Sequence, residues 1–130
     1  MCSSDLLFVA VIDDALEICR ATRQMLEVYG IEVFTAESGE EAVGRLGRLG
    51  RRPDLLISDY RLTSETGVES IAMLCQEFNH DIPALLITGD TSPERLETFR
   101  RLGLTVLHKP LSASALLSAI SAELQQSRPA

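Results

Sequence analysis

The residues of this chain that could do chemistry stand where its apolar runs stop. Each has a simple structural reading when taken singly, because an Asp after a strand often only forms a turn and Asp14 could only cap a helix. If the runs are parallel strands, however, they all end at one edge of a sheet, and we expect their terminal side chains to converge. The residues are Asp13 and Asp14 after residues 6–12, Asp59 after residues 55–57, Thr88 at the end of residues 83–88, and Lys109 after residues 104–108.

The types of these residues indicate phosphoryl chemistry. Three crowded carboxylates, those of Asp13, Asp14 and Asp59, repel one another and favour binding of a divalent cation. Oxygen ligands without His or Cys suit Mg²⁺. The charges of the cation and Lys109 would balance the three carboxylates, so a dianionic phosphoryl group could enter. A carboxylate can accept that group as an aspartyl phosphate, with Lys109 neutralising its oxygens and Thr88 donating a hydrogen bond.

Strand and helix patterns alternate along the chain, which indicates a parallel sheet with helices on both faces. The predicted strands are residues 6–12, 31–36, 55–57, 83–88 and 104–108, and the strand 31–36 alternates as an edge strand does. The predicted helices begin near residues 14, 38, 66, 91 and 112. We expect Gly44, Gly47 and Gly50 to weaken the second helix, because each interior glycine costs about 1 kcal/mol relative to Ala.

Helix starts are predicted from capping residues with Glu three positions later. The pairs are Asp14 with Glu17, Ser38 with Glu41, Thr66 with Glu69, and Thr91 with Glu94. Buried helix faces are predicted from apolar spacing. In the first helix this face contains Leu16, Cys19, Met25, Leu26 and Tyr29; in the third it contains Val68, Ile71, Ala72, Leu74, Cys75 and Phe78; in the last it contains Leu116, Leu117, Ile120 and Leu124.

Composition narrows the class of protein. The 130 residues are 45% hydrophobic and 24% charged, which fits one globular domain. With 5% aromatic residues, no Trp and a net charge of -7, direct nucleic-acid binding is not expected. Cys2, Cys19 and Cys75 have no metal-ligand spacing and are expected to be reduced thiols. No apolar run could span a bilayer, so we expect a cytoplasmic domain without membrane contact.

The order and spacing of Asp13-Asp14, Asp59, Thr88-Gly89 and Lys109-Pro110 resemble the receiver domain of two-component response regulators, over about residues 6–124. This resemblance implies a doubly wound, flavodoxin-like (CheY-like) sheet of five parallel strands in the order 2-1-3-4-5, with five helices. It also implies that residues 1–130 form one receiver domain, with a loose tail at 127–130.

The resemblance further implies Mg²⁺-dependent transfer of a phosphoryl group to Asp59. The donor would be a phosphohistidine of a histidine kinase or of a phosphotransfer domain. Asp13, Asp14, Asp59 and the backbone carbonyl of Arg61 would hold the metal, while Thr88 and Lys109 would contact the phosphoryl group. The Lys109–Pro110 peptide bond would be cis. Arg61 and Asp90 could overhang the pocket and pair with each other.

One position departs from the family pattern. Val106 stands where receiver domains usually have an aromatic residue that rotates when the domain is phosphorylated. We therefore predict a smaller change on the face made by the helix 91–102 and the final strand. The same face is expected to form any homodimer.

Two other functions stay open at this point. Haloacid-dehalogenase-like phosphohydrolases also form an aspartyl phosphate, but their nucleophile follows the first strand in an Asp-x-Asp pattern, whereas Asp59 follows the third. An interaction module that is never phosphorylated would not need the complete set of site residues. The chain could be a stand-alone regulator or part of a larger protein, and residues 84–90 and 107–111 favour a hybrid sensor histidine kinase.

Overall fold

The computed structural model describes residues 7–62, 65–89, 92–109 and 111–127. Within these ranges, five strands form one parallel sheet in the order β2-β1-β3-β4-β5, and five helices alternate with them, which confirms the predicted fold. In chain order the elements are β1 (Phe8–Ile12), α1 (Leu16–Glu27), β2 (Glu32–Ala36), α2 (Gly39–Leu49), β3 (Leu55–Asp59), α3 (Gly67–Glu77), β4 (Ala84–Thr88), α4 (Pro93–Arg101), β5 (Thr105–His108) and α5 (Ala113–Ser127).

The three central strands are buried along their whole length, as their unbroken apolar runs predict. Side chains alternate between two apolar layers. Ala10 and Leu56 belong to the layer that also contains Leu46 of α2 and Leu74 of α3. Their strand neighbours belong to the opposite layer, with Leu26 of α1 and Leu116 of α5. The sheet is therefore covered by helices on both faces.

Helix α1 begins later than predicted. Its N-cap is Ala15, which has no capping side chain, so the assignment of Asp14 as the cap was wrong. The Asp13 carboxylate instead accepts a hydrogen bond from the Ala15 N–H at 2.9 Å. Cys19 and Leu26 are buried as expected, but Leu16 is 54% exposed and Tyr29 is 58% exposed. Leu16 lies in the first turn, at the edge of the sheet, and Tyr29 lies beyond the end of the helix.

The caps of α2 and α3 differ in completeness. The Ser38 hydroxyl accepts the Glu41 N–H at 3.1 Å, but the Glu41 carboxylate bonds the Glu37 N–H rather than that of Ser38. Helix α2 continues through Gly44 and Gly47 to Leu49 and ends at Gly50 in the left-handed conformation. The weakening expected from its glycines stays a prediction. Thr66 and Glu69 form the complete capping box of α3. Ala72 of that helix is exposed, contrary to its predicted place on the buried face.

Several predictions fall on residues outside the described ranges. These are the roles of Cys2, of Thr91 as a cap, of Asp90 as a partner of Arg61, of Pro110 in a cis peptide, and of the tail from residue 128. Ser92 is the N-cap of α4 and makes no capping hydrogen bond through its side chain. Among the helices of the described ranges, none has the length and apolarity that crossing a membrane requires.

Candidate functional site

The carboxyl ends of the strands bring the predicted site residues together. Asp59 is the last residue of β3 and lies beside Ile87 in the register of the sheet, so Thr88 follows directly at the end of β4. Asp13 and Asp59 are only 5% and 8% exposed. A cavity of about 420 Å³ opens beside Asp59 and is lined by Asp59, Arg61, Thr88, Gly89 and Lys109.

Three carboxylates meet at this edge of the sheet. Asp13, Asp14 and Asp59 each place an oxygen within 4.8 Å of the others. Burial raises the pKa of Asp13; the hydrogen bond from Ala15 N–H opposes this effect, and the nearby charge of Asp59 adds to it. A concentrated, partly buried negative charge with oxygen donors alone fits a hard divalent cation such as Mg²⁺.

Lys109 places a positive charge against Asp59. Its Nζ lies 2.9 Å from Oδ1 of Asp59, and its backbone N–H donates to the Thr88 carbonyl at 3.1 Å. The hydrogen bond to Asp59 raises the pKa of Lys109, so the side chain stays protonated at neutral pH. The ammonium group is therefore held against the one carboxylate that lies between the acid pair and Thr88.

Gly67 lets the start of α3 approach the end of β3, a role that the sequence analysis missed. A Cβ at this position would clash with the carbonyl oxygen of Asp59. The Gly67 N–H donates to the Tyr60 carbonyl at 2.7 Å, and the Tyr60 N–H donates to the Ile87 carbonyl at 2.8 Å. The backbone that follows Asp59 is thus fixed on both sides. The only sequence signal for Gly67 was its place after the cap Thr66.

The segment after β3 carries the remaining predicted ligand. Arg61 pairs with Thr66 in an isolated antiparallel bridge, and its exposed side chain lines the cavity. Its role as a metal ligand through the backbone carbonyl stays a prediction.

An aromatic pair on the α4 side was not predicted. The rings of Tyr60 and Phe99 meet edge to face, with centroids 5.1 Å apart, and the Arg95 guanidinium lies 4.9 Å from the Tyr60 centroid. Phe99 is the one buried residue among the nine of α4. Val106 is half-buried and packs against the same apolar layer. Helix α4 is therefore anchored next to the residue that follows Asp59.

Known regulatory proteins resemble this chain over most of its length. The family model of the response regulator receiver domain matches residues 9–121. The transcriptional regulatory protein GlrR of Escherichia coli (strain K12) is 31% identical over 121 residues, which are 92% of this chain and 27% of that protein. The phosphate regulon transcriptional regulatory protein PhoB of Rhizobium meliloti is 32% identical over 124 residues, 93% of this chain and 53% of that protein.

Solved structures agree with these relatives. The chemotaxis protein CheY4 of Vibrio cholerae superposes with a TM-score of 0.80 at 29% identity, covering 91% of this chain and 98% of that one. The chain spans about half the length of PhoB and about a quarter of GlrR. The match to the family model covers most of the sequence, from the second residue of β1 into α5. This chain therefore belongs to the response regulator receiver domain family.

Proposed function

We propose that the chain accepts a phosphoryl group on Asp59 in a two-component phosphorelay. One observation carries the proposal. The buried carboxylate of Asp59 is hydrogen-bonded to Lys109 at 2.9 Å and lies within 4.8 Å of carboxylate oxygens of Asp13 and Asp14, at an open cavity. A carboxylate held between a cation site and an ammonium group suits attack on a phosphoryl group.

The donor is a phosphohistidine of a histidine kinase or phosphotransfer domain. A carboxylate oxygen of Asp59 bonds to phosphorus while the phosphorus–nitrogen bond breaks, and the imidazole leaves with that electron pair. Lys109 neutralises charge on the phosphoryl oxygens, and the Thr88 hydroxyl donates a hydrogen bond to one of them. The result is an acyl phosphate on Asp59.

The residues suited to holding Mg²⁺ are Asp13, Asp14, Asp59 and, through its backbone carbonyl, Arg61. The three oxygens within 4.8 Å support the first three, and the family resemblance supports Arg61. Bound Mg²⁺ would supply positive charge that offsets both the carboxylates and the oxygens of the incoming phosphoryl group.

We place the donor over a groove of about 490 Å³ beside the site. The groove reaches from Asp13 and Lys109 along α1, and its apolar lining comes mainly from Ile18, Ala21, Met25, Ile87 and Leu111. Leu16 and Ile18 are large apolar residues exposed on the same helix. A partner that covers this groove would bring its phosphohistidine to the open side of Asp59.

The output side is the face made by α4 and β5. Because Val106 replaces the usual aromatic, we predict a small rearrangement of this face on phosphorylation. The homodimer through the helix 91–102 and β5 also stays a prediction. Crystals of the metal-free and the beryllofluoride-bound protein would test the first of these, and a large shift of α4 relative to β5 would contradict it.

The wider setting is proposed from the sequence. We favour a cytoplasmic receiver of a hybrid sensor histidine kinase that transfers signals without turning over a substrate, touching a membrane or binding nucleic acid itself. The full reading frame tests the hybrid-kinase setting directly. A DNA-binding output domain, which would fit the regulatory relatives, would refute it.

The proposal is tested by labelling with acetyl phosphate in the presence of Mg²⁺. The unmodified chain and a control, Asp81→Asn, should both be labelled, because Asp81 is exposed and lies before the amino end of β4. Asp59→Asn should not be labelled. Equal labelling of Asp59→Asn would overturn the proposal, sustained turnover of a generic phosphatase substrate would favour a phosphohydrolase, and failure to bind Mg²⁺ and beryllofluoride would favour an interaction module.

A further inference from the structure

One carboxylate, that of Glu65, ties the segment after β3 to the start of α2. The Gly39 N–H donates to Oε2 of Glu65 at 2.6 Å, and the hydroxyl of Ser70 donates to the same oxygen. Ser70 is fully buried in α3. A carboxylate is favoured at this place because the first N–H groups of a helix lack partners within the helix. Glu65 therefore links its own segment to two helices at once.

The packing around Gly39 leaves little freedom for this link to shift. A Cβ on Gly39 would lie 2.7 Å from Oε2 of Glu65, 2.8 Å from Cα of Ser70 and 2.9 Å from its Cβ. Distances this short are closer than real Cβ contacts. The absence of a side chain on Gly39 thus allows α2 and α3 to approach closely enough for Glu65 to reach both.

Glu65 also holds the backbone that leads back to Arg61. The Leu62 N–H donates to the Glu65 carbonyl at 3.2 Å, and Arg61 pairs with Thr66 in an antiparallel bridge. These two pairings join Arg61 and Leu62 to Thr66 and Glu65. A displacement of Glu65 would therefore be passed to the peptide group of Arg61.

The acid pair after β1 is attached to the segment that joins β2 to α2. The Asp13 N–H donates to the carbonyl of Ala36, the last residue of β2, at 3.0 Å. Three residues later along the chain, the Gly39 N–H donates to the Glu65 carboxylate. The short segment 36–39 thus connects the acid pair after β1 with the segment that carries Arg61.

We propose that Glu65 is a positioning residue for metal binding at Asp13, Asp14 and Asp59. It lies outside the three-carboxylate cluster of the described residues and acts by fixing the Arg61 backbone relative to the acid pair. The inference rests on the proposed function, because it assumes that this cluster binds Mg²⁺ together with the backbone carbonyl of Arg61. Replacing residues that orient metal ligands commonly weakens metal binding about 10–100-fold.

Calorimetric titration of the full chain with Mg²⁺ tests the role of Glu65. Glu65→Ala should bind Mg²⁺ about 10–100-fold more weakly than the unmodified chain. Glu65→Gln should recover most of the affinity, because its amide oxygen can accept both hydrogen bonds. Glu40→Ala is the matched control, because it removes an exposed acid from the first turn of α2, the helix that begins at Gly39. Its effect on Mg²⁺ affinity should stay within about twofold, since solvent and salt screen that charge.

Hydrogen exchange of the metal-free protein gives a second readout. The amides of Gly39 and Leu62 should exchange faster in Glu65→Ala and at the normal rate in Glu65→Gln. Unchanged protection in Glu65→Ala would overturn the proposal even if the variant were less stable. Equal affinities of the Ala and Gln variants would also overturn it, because loss of charge alone would then explain the result.

The two proposals fail in different ways. If the unmodified chain binds no Mg²⁺, both the proposed metal site and the role of Glu65 are wrong. If the unmodified chain binds Mg²⁺ and the affinity of Glu65→Ala stays within about twofold of it, the role of Glu65 is wrong, while metal binding at Asp13, Asp14 and Asp59 stands. A change that small does not fit a residue that orients metal ligands.

Discussion

The two ends of the sheet treat charged residues in opposite ways. At the amino end, the Arg51 guanidinium makes two hydrogen bonds to Glu32, at 2.7 and 3.0 Å, and stacks on the Phe8 ring at 4.0 Å from its centroid. The Asp54 carboxylate accepts the Phe8 N–H at 2.9 Å. Glu32 and Asp54 thus each have a donor at this end, and Arg51 and Glu32 remain open to solvent.

At the carboxyl end, three acids crowd around the single ammonium group of Lys109. The pKa shifts reflect the difference. The hydrogen bond from Arg51 lowers the pKa of Glu32, whereas burial raises the pKa of Asp13. The amino end therefore stabilises the folded chain, while the carboxyl end keeps an unfavourable charge arrangement that a bound cation would relieve. A site for chemistry is recognised by that unrelieved arrangement rather than by the presence of charged residues.

The largest expected effect is stabilisation by Mg²⁺ acting at the carboxyl end alone. At a concentration about 100 times its dissociation constant, Mg²⁺ should raise the free energy of unfolding by about 2.7 kcal/mol. A chelator should reverse the gain. The effect should be lost in Asp13→Asn and kept in Glu32→Gln, as measured by urea unfolding with and without Mg²⁺. An equal gain in Asp13→Asn would place the bound metal elsewhere.

Asp54→Ala should destabilise the chain without affecting phosphorylation. The change leaves the Phe8 N–H without its carboxylate acceptor, at a cost of about 2 kcal/mol. Asp54→Asn keeps an acceptor oxygen and should lose much less. Urea unfolding measures the cost, and acetyl phosphate labelling should be unchanged in both variants. Loss of labelling in a folded Asp54→Ala protein would show that the two ends are not independent.

In the metal-free protein, the contributions of Asp13 and Glu32 to stability should change in opposite directions with pH. The folded-state pKa of Asp13 is raised above the ordinary 3.8, so the native state binds more protons than the unfolded chain at pH values between these two pKa values. The contribution of Asp13 to stability therefore falls as pH rises through its folded-state pKa. Asp13→Asn should be more stable than the unmodified chain at neutral pH. Urea unfolding in a chelator at several pH values checks this, and the difference should vanish at low pH.

Much of the site could be predicted because a parallel sheet converts local patterns into one location. Apolar runs mark the strands, and their common direction places Asp13, Asp59 and Thr88 at one edge. Local patterns gave the wrong residue where two neighbouring acids could accept a hydrogen bond at the start of a helix. Asp14 has the spacing of a helix cap, but the Asp13 carboxylate takes the Ala15 N–H instead.

Contacts between distant segments could not be predicted in the same way. Glu65 reaches Gly39, and Tyr60 meets Phe99, only because the helices that carry Gly39 and Phe99 pack at particular positions on the sheet. Apolar periodicity indicates which face of a helix is buried but not which residue of another element it meets. The contact between Tyr60 and Phe99 of α4 therefore could not be predicted from the sequence.

The smallest expected effect is loss of the ion pair at the amino end. Glu32→Gln should lower the free energy of unfolding by about 0.5 kcal/mol, because both partners are nearly half exposed, Arg51 at 46% and Glu32 at 44%. The lowered pKa of Glu32 means that its contribution is present above its ordinary value of 4.5 and is lost as pH falls through the folded-state pKa. Urea unfolding at low and high salt measures both effects, and the cost should shrink as salt screens the pair. A cost that is large and independent of salt would mean that the stacked Arg51 is shielded from solvent, and the amino end would then resemble the carboxyl end more than its exposure indicates.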